Sequence, residues 1–107
     1  MINKKCPSKQ LSKRITELGD LFRVLGEEKR LKIICLLRNR ELCVSDIWQN
    51  VGWPQNLVST HLRILSRSKL ISNRREGQKI YYSINYLAFK KYNSILADFL
   101  KKYEQKD

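Results

Sequence analysis

One histidine, three scattered cysteines and ten acidic residues leave little material for a reaction centre in a chain of 107 residues. Cys6, Cys35 and Cys43 are odd in number and contain no CxxC pair, so neither a disulfide framework nor a structural zinc site is expected, and the thiols should rest reduced. No paired carboxylates, glycine-rich phosphate loop or nucleophile motif stands out, which argues against an enzyme. No run approaches the roughly 18–20 apolar residues that cross a bilayer, and MINKKCPSKQ lacks the apolar stretch of a signal peptide. A cytoplasmic protein without a membrane partner is expected.

What the chain does have is positive charge on a foldable body. It carries 22 Lys+Arg, a net charge of +12, and is 42% hydrophobic, too apolar for a disordered basic tail. Its length suits one domain, since domains typically span about 100–150 residues. Such a charge draws polyanions, and with the membrane set aside nucleic acid is the expected partner. The charge is also local. Met1 to Arg14 holds five positive residues and no negative one, and Pro54 to Ile80 holds six against Glu76 alone. Residues 1–8 read as a basic N-terminal arm, and residues 9–107 as the domain itself.

Apolar periodicity divides that domain. Leu11, Ile15, Leu18, Phe22 and Leu25 predict a helix over about 9–25, stopped by Gly26. Glu27 and Glu28 suit the first turn of a second helix, whose stripe of Leu31, Ile33, Ile34, Leu36 and Leu37 is broad enough to be largely buried, ending near Arg40. Val44, Ile47, Trp48 and Val51 form a short third helix ended by Gly52. Pro54 opens a fourth, reaching about Ser68, with Val58, Leu62 and Leu65 inward. Two helices across so short a turn make a helix-turn-helix. Ile71–Glu76 and Gln78–Ile84 then read as a β-hairpin turning at Glu76-Gly77. A last helix spans about Tyr86 to Glu104.

The fold expected is mainly α with a β-hairpin wing, a winged helix-turn-helix of order α-α-α-α-β-β-α. The first and last helices carry more apolar surface than one small domain buries, which points to a homodimer through both.

The segment Leu21 to Asn85 resembles the ArsR/SmtB family of bacterial winged-helix transcriptional repressors. The motifs are LFRVLGEEKRLKIICLL, ELCVSDI, VSTHLRILSRSKLI and RREGQKIYYSI. The resemblance implies a dimer that represses a promoter, and usually releases DNA when a metal, metalloid or sulfur species binds.

The fourth helix would read double-stranded DNA. With Val58, Leu62 and Leu65 inward, Gln55, Asn56, Ser59, Thr60 and Arg63 turn outward; Gln and Asn suit adenine, Arg suits guanine, and hydroxyls suit phosphate or base. A dimer would set two such helices about 34–36 Å apart, over an inverted repeat. His61 sits at the edge of the buried face, open to either packing or DNA contact; the family's Ser-x-His-Leu pattern, here Ser59 to Leu62, adds weight to contact. Arg74, Arg75, Gln78 and Lys79 around the hairpin turn would hold phosphates or enter the minor groove.

The cysteines are the sensor candidates. Cys43 stands where Ser or Thr caps a helix, with Asp46 completing a capping box, and a helix N-terminus favours a reactive thiolate. The family's thiolate motif here reads Glu-Leu-Cys-Val-Cys-Asp, but Ser45 replaces its second cysteine. A thiophilic metal or metalloid at Cys43 would therefore need Cys6 from the arm, and still lacks a third ligand. Cys35 occupies the place of a cysteine in the family's sulfur and redox sensors, whose partner on the last helix is absent; a small core residue is the alternative. A DNA-binding regulator without any small-molecule inducer, or a protein-interaction module on a winged-helix scaffold, remain as competing readings.

Overall fold

The computed structural model describes residues 9–104, with side chains described as far as Lys101, so the basic arm and Cys6 lie outside the described residues. The elements are α1 (Lys9–Leu25), α2 (Glu28–Leu36), β1 (Leu42–Cys43), α3 (Val44–Val51), α4 (Gln55–Arg67), β2 (Ile71–Glu76), β3 (Lys79–Ile84) and α5 (Tyr86–Glu104). This is the expected winged helix-turn-helix with one strand added. β1 pairs antiparallel with β3, Leu42 with Tyr82 and Cys43 with Tyr81, giving a three-stranded sheet of order β1-β3-β2. Two residues are too few to show a strand period, so β1 left no mark in the pattern.

The second helix departs from expectation. It ends at Leu36, not near Arg40, because the chain tightens into a turn in which Asn39 takes a left-handed φ of 62°. Its buried side is also narrower: Ile33 and Leu37 are fully enclosed, while Leu31 is 48% exposed. Cys35, four residues on, shares that outer face and is exposed, so of the two readings left open for it the small core residue is set aside.

The helix-turn-helix is fixed at both ends of its turn. Gly52 closes α3 at φ 75°, donating its N–H to the Trp48 carbonyl at 2.8 Å, a conformation that strains any residue with a Cβ. Pro54, expected as the first helical residue, occupies the cap position instead, at φ −57° and ψ 143°. Its carbonyl accepts from Leu57 at 3.1 Å and Val58 at 3.2 Å, and its missing N–H leaves nothing unpaired. At the far end, Lys69 turns left-handed and Leu70 donates to the Leu65 carbonyl, which sends the chain into β2.

Ile33, Leu37, Ile47, Val58, Leu62, Leu65 and Leu70 form the centre of the core, extended by Ile71 and Ile84 from the hairpin root, Leu18 and Leu21 from α1, and Ile95 from α5. Each fully buried aliphatic side chain contributes about 1.5–3 kcal/mol, so α4, which supplies three, is held firmly in one orientation.

Candidate nucleic-acid interface

Burying Val58, His61, Leu62 and Leu65 fixes which side of α4 faces outward. Gln55, Asn56 and Arg63 are exposed, while Ser59 and Thr60 are half-buried at the margin. Thr60 spends its hydroxyl proton on the Asn56 carbonyl at 2.9 Å, so towards a ligand it can only accept. Arg67, one turn beyond Arg63, is exposed on the same side and belongs with this group; the i, i+4 spacing could have revealed it. No carboxylate lies on α4, and neither Arg63 nor Arg67 has an ion-pair partner among the described residues.

His61 does not join this face. It is 7% exposed, and its Nδ1 accepts a hydrogen bond from Arg30 Nη1 at 3.2 Å, while Arg30 Nε donates to the Val24 carbonyl at 2.6 Å. Trp53 meets the ring edge-on at 6.5 Å, with the Lys29 ammonium over the indole. Burial holds its pKa below the ordinary 6.5, helped by the charges of Arg30 and Lys29 and opposed by Glu27. A neutral ring accepting from α2 thus packs between α2 and α4, apart from the exposed residues with which the sequence reading groups it as a DNA contact.

The hairpin strands pair from Ile71 with Ile84 to Glu76 with Lys79, and the turn bends at Gly77 with φ 64°. Arg75, Gln78 and Lys79 are exposed there. Arg75 Nε reaches only the Gly77 carbonyl, at 3.4 Å, leaving its outer nitrogens without a carboxylate. Arg74, expected to stand open to phosphate beside it, is instead engaged: Glu41 holds it through two nitrogens and Glu76 through a third. Arg74 is held above its ordinary pKa by its bonds to Glu41 and Glu76, and Glu41 below its own chiefly by its bond to Arg74.

Residues 27–73 match the bacterial regulatory protein, arsR family. The arsenical resistance operon repressor of Staphylococcus aureus is 31% identical over 70 residues, 65% of this chain and 67% of that protein. The transcriptional activator HlyU of Vibrio cholerae is 29% identical over 76 residues, 71% of this chain and 70% of that protein. The crystal structure of the regulator HlyU from Vibrio vulnificus is similar at a TM-score of 0.64 and 32% identity, over 71% of this chain and 79% of that one. This chain belongs to the ArsR/SmtB family. It is therefore a DNA-binding transcriptional regulator and not an enzyme.

As an ArsR/SmtB regulator it has an altered motif at the start of α3. Cys43 caps that helix: its backbone N–H donates to Asp46 Oδ2 at 3.2 Å and its Sγ donates to the same oxygen at 3.1 Å, with Ser45 Oγ 3.2 Å from Sγ. The thiol is buried, and its bond to the carboxylate is the main reason Asp46 has a lowered pKa. One thiol, one hydroxyl and one carboxylate are not a donor set for a soft metal, and no group of three or more His, Cys, Asp or Glu fit to hold a metal occurs among the described residues. Cys35, by contrast, opens onto a recess of about 280 Å³ lined by Lys32, Leu36, Asn50 and Val51.

Proposed function

We propose that this regulator is a homodimeric, sequence-specific repressor that binds an inverted-repeat operator. The observation that carries the reading is the outward side of α4: Gln55, Asn56, Ser59, Thr60 and Arg63, all able to bond base edges or phosphate, on a helix with no carboxylate and held rigidly by its buried stripe. Asn56 and Arg63 read bases, while Arg75, Gln78 and Lys79 of the wing hold the backbone. Support for the dimer comes from α1 and α5, which pack together yet leave Ile15, Phe22 and Leu100 between 42% and 51% exposed, an apolar load that a second copy would cover. Repression is the output of the staphylococcal relative's name, and activation that of the Vibrio one.

Selection of duplexes from a random pool by the full chain tests this reading. An inverted repeat with half-sites one duplex turn apart, bound by a dimer in sedimentation, is the expected product; enrichment of no sequence would overturn it. A promoter carrying that repeat upstream of a reporter then separates repression from activation.

A second reading, a regulator without a small-molecule inducer, is favoured by Ser45 standing in the thiolate motif and by the buried, hydrogen-bonded Cys43. A thiol-reactive inducer would act at Cys35, the exposed thiol of the two described. Challenge of the bound duplex with cadmium, lead, arsenite, persulfide and peroxide decides between them: release that disappears in Cys35→Ser identifies the sensor, and release by none supports the inducer-free regulator.

A further inference from the structure

The sheet order β1-β3-β2 places β1 and β2 on opposite edges of β3. Arg74 lies on β2 and Glu41 directly precedes β1, yet their side chains meet. Nε is 3.0 and 2.9 Å from the two carboxylate oxygens, and Nη2 is 2.8 Å from one of them. Between the two edges the guanidinium covers Tyr81, with Cζ 4.9 Å from the ring centre; Tyr81 is the β3 residue paired with Arg74 on one side and Cys43 on the other. Nη1 grips Glu76 at 2.7 Å, further along β2. The side chain of Arg74 thus straps one edge of the sheet to the other, across the central strand.

We propose that Arg74 is a positioning residue for DNA binding: its strap to Glu41 sets the twist of the wing, and so the placement of Arg75 and Lys79 on phosphate, without itself touching DNA. The inference rests on the wing being a DNA-contacting element, as read above. A two-stranded ribbon is the most freely twisting kind of sheet, and β1 supports only two residues of this one. Strand alternation puts Arg74 and Arg75 on opposite faces, so the residue that ties the sheet is separate from the one left available. To reach a phosphate, Arg74 would have to leave two carboxylates and expose both beside a polyanion. Single exposed ion pairs contribute little, but a guanidinium forked on one carboxylate, bonded to a second and stacked on a ring is the networked geometry in which such a pair holds.

The test is the affinity of the full chain for the duplex recovered by selection, measured across a salt series for wild type, Glu41→Gln, Arg74→Gln, Arg74→Lys, the Glu41→Gln/Arg74→Gln double variant and Arg75→Ala. Glu41→Gln makes the protein more basic, so bulk electrostatics alone would tighten binding. The strap requires the reverse, a loss of about three- to tenfold. Arg74→Gln should lose as much, the double variant no more than either single, and Arg74→Lys, which keeps the charge but not the fork, should not recover it. In the Glu41→Gln background the effect of Arg75→Ala should shrink. Tighter binding by Glu41→Gln, with Arg74→Gln losing about one unit of salt slope and Arg74→Lys keeping it, would make Arg74 a phosphate contact and overturn the proposal. Variants that lower only the thermal midpoint, with unchanged affinity well below it, would also overturn it, leaving a purely stabilising pair. Arg75→Ala without effect on wild-type affinity or slope would remove the wing reading itself, and this inference with it.

Discussion

On α4, Val58, His61, Leu62 and Leu65 are buried in a continuous stripe, whereas on the hairpin strands only Ile71 and Ile84, at the root, are buried. The helix therefore takes its orientation from packing. The hairpin tip has no such anchor; beyond the backbone ladder, what spans the sheet there is the Arg74–Glu41 ion pair, with Glu76 bonded to Arg74 along the same strand. Packing is indifferent to ionic strength and screened charge is not, so the two elements should respond differently to the same perturbations.

The comparison can be broken most forcefully at Leu62, which is 1% exposed at the centre of the core. Leu62→Ala should reduce unfolding free energy by about 2–5 kcal/mol in chemical denaturation, and the loss should be the same at low and high salt. A salt-dependent loss would mean that charge also holds α4. Next in size, Asn56→Ala should weaken the selected duplex by about 1–3 kcal/mol while sparing a scrambled one in a competition assay. Arg75→Ala should behave in the opposite way, weakening both duplexes alike and lowering the salt slope by about one unit. Equal losses on both DNAs for Asn56→Ala would erase the distinction between a reading helix and a gripping wing.

The smallest effect is a titration. The pKa of His61 is lower in the folded chain than the ordinary 6.5, so the unfolded chain binds the extra proton first. Its contribution to stability is present above pH 6.5 and is lost as pH falls through that value towards the folded pKa. Thermal midpoints should decline over that window in the wild type and be flatter in His61→Gln, before the depressed carboxyls of Glu41 and Asp46 bring a second decline at lower pH. An identical profile in His61→Gln would show that the decline in that window does not come from protonation of this ring.

Features written in local spacing were legible in the chain. The limits of α1 and α5 follow from apolar periods, the end of α3 from Gly52 and the hairpin from its alternation around Gly77. The outward residues of α4 were found for the same reason, since a rigid helix turns a buried stripe into a defined opposite side. What spacing could not show is what depends on distant partners. Arg74 looked available because Glu41 is 33 residues away, and His61 was counted with the DNA contacts because its partner Arg30 is 31 residues away. Cys35 stayed open between a sensor thiol and a core residue because its neighbours are apolar, and only the packed structure shows that it lies on the exposed face of α2.

Cys43 is at once the last residue of β1, paired across the sheet with Tyr81, and the residue that caps α3. The same amino acid ends a strand of the sheet and opens the helix-turn-helix, with no linker residue between them. The sheet that carries the wing and the first helix of the helix-turn-helix are therefore joined at a single residue, with Cys43 bonded to the start of one and paired within the other.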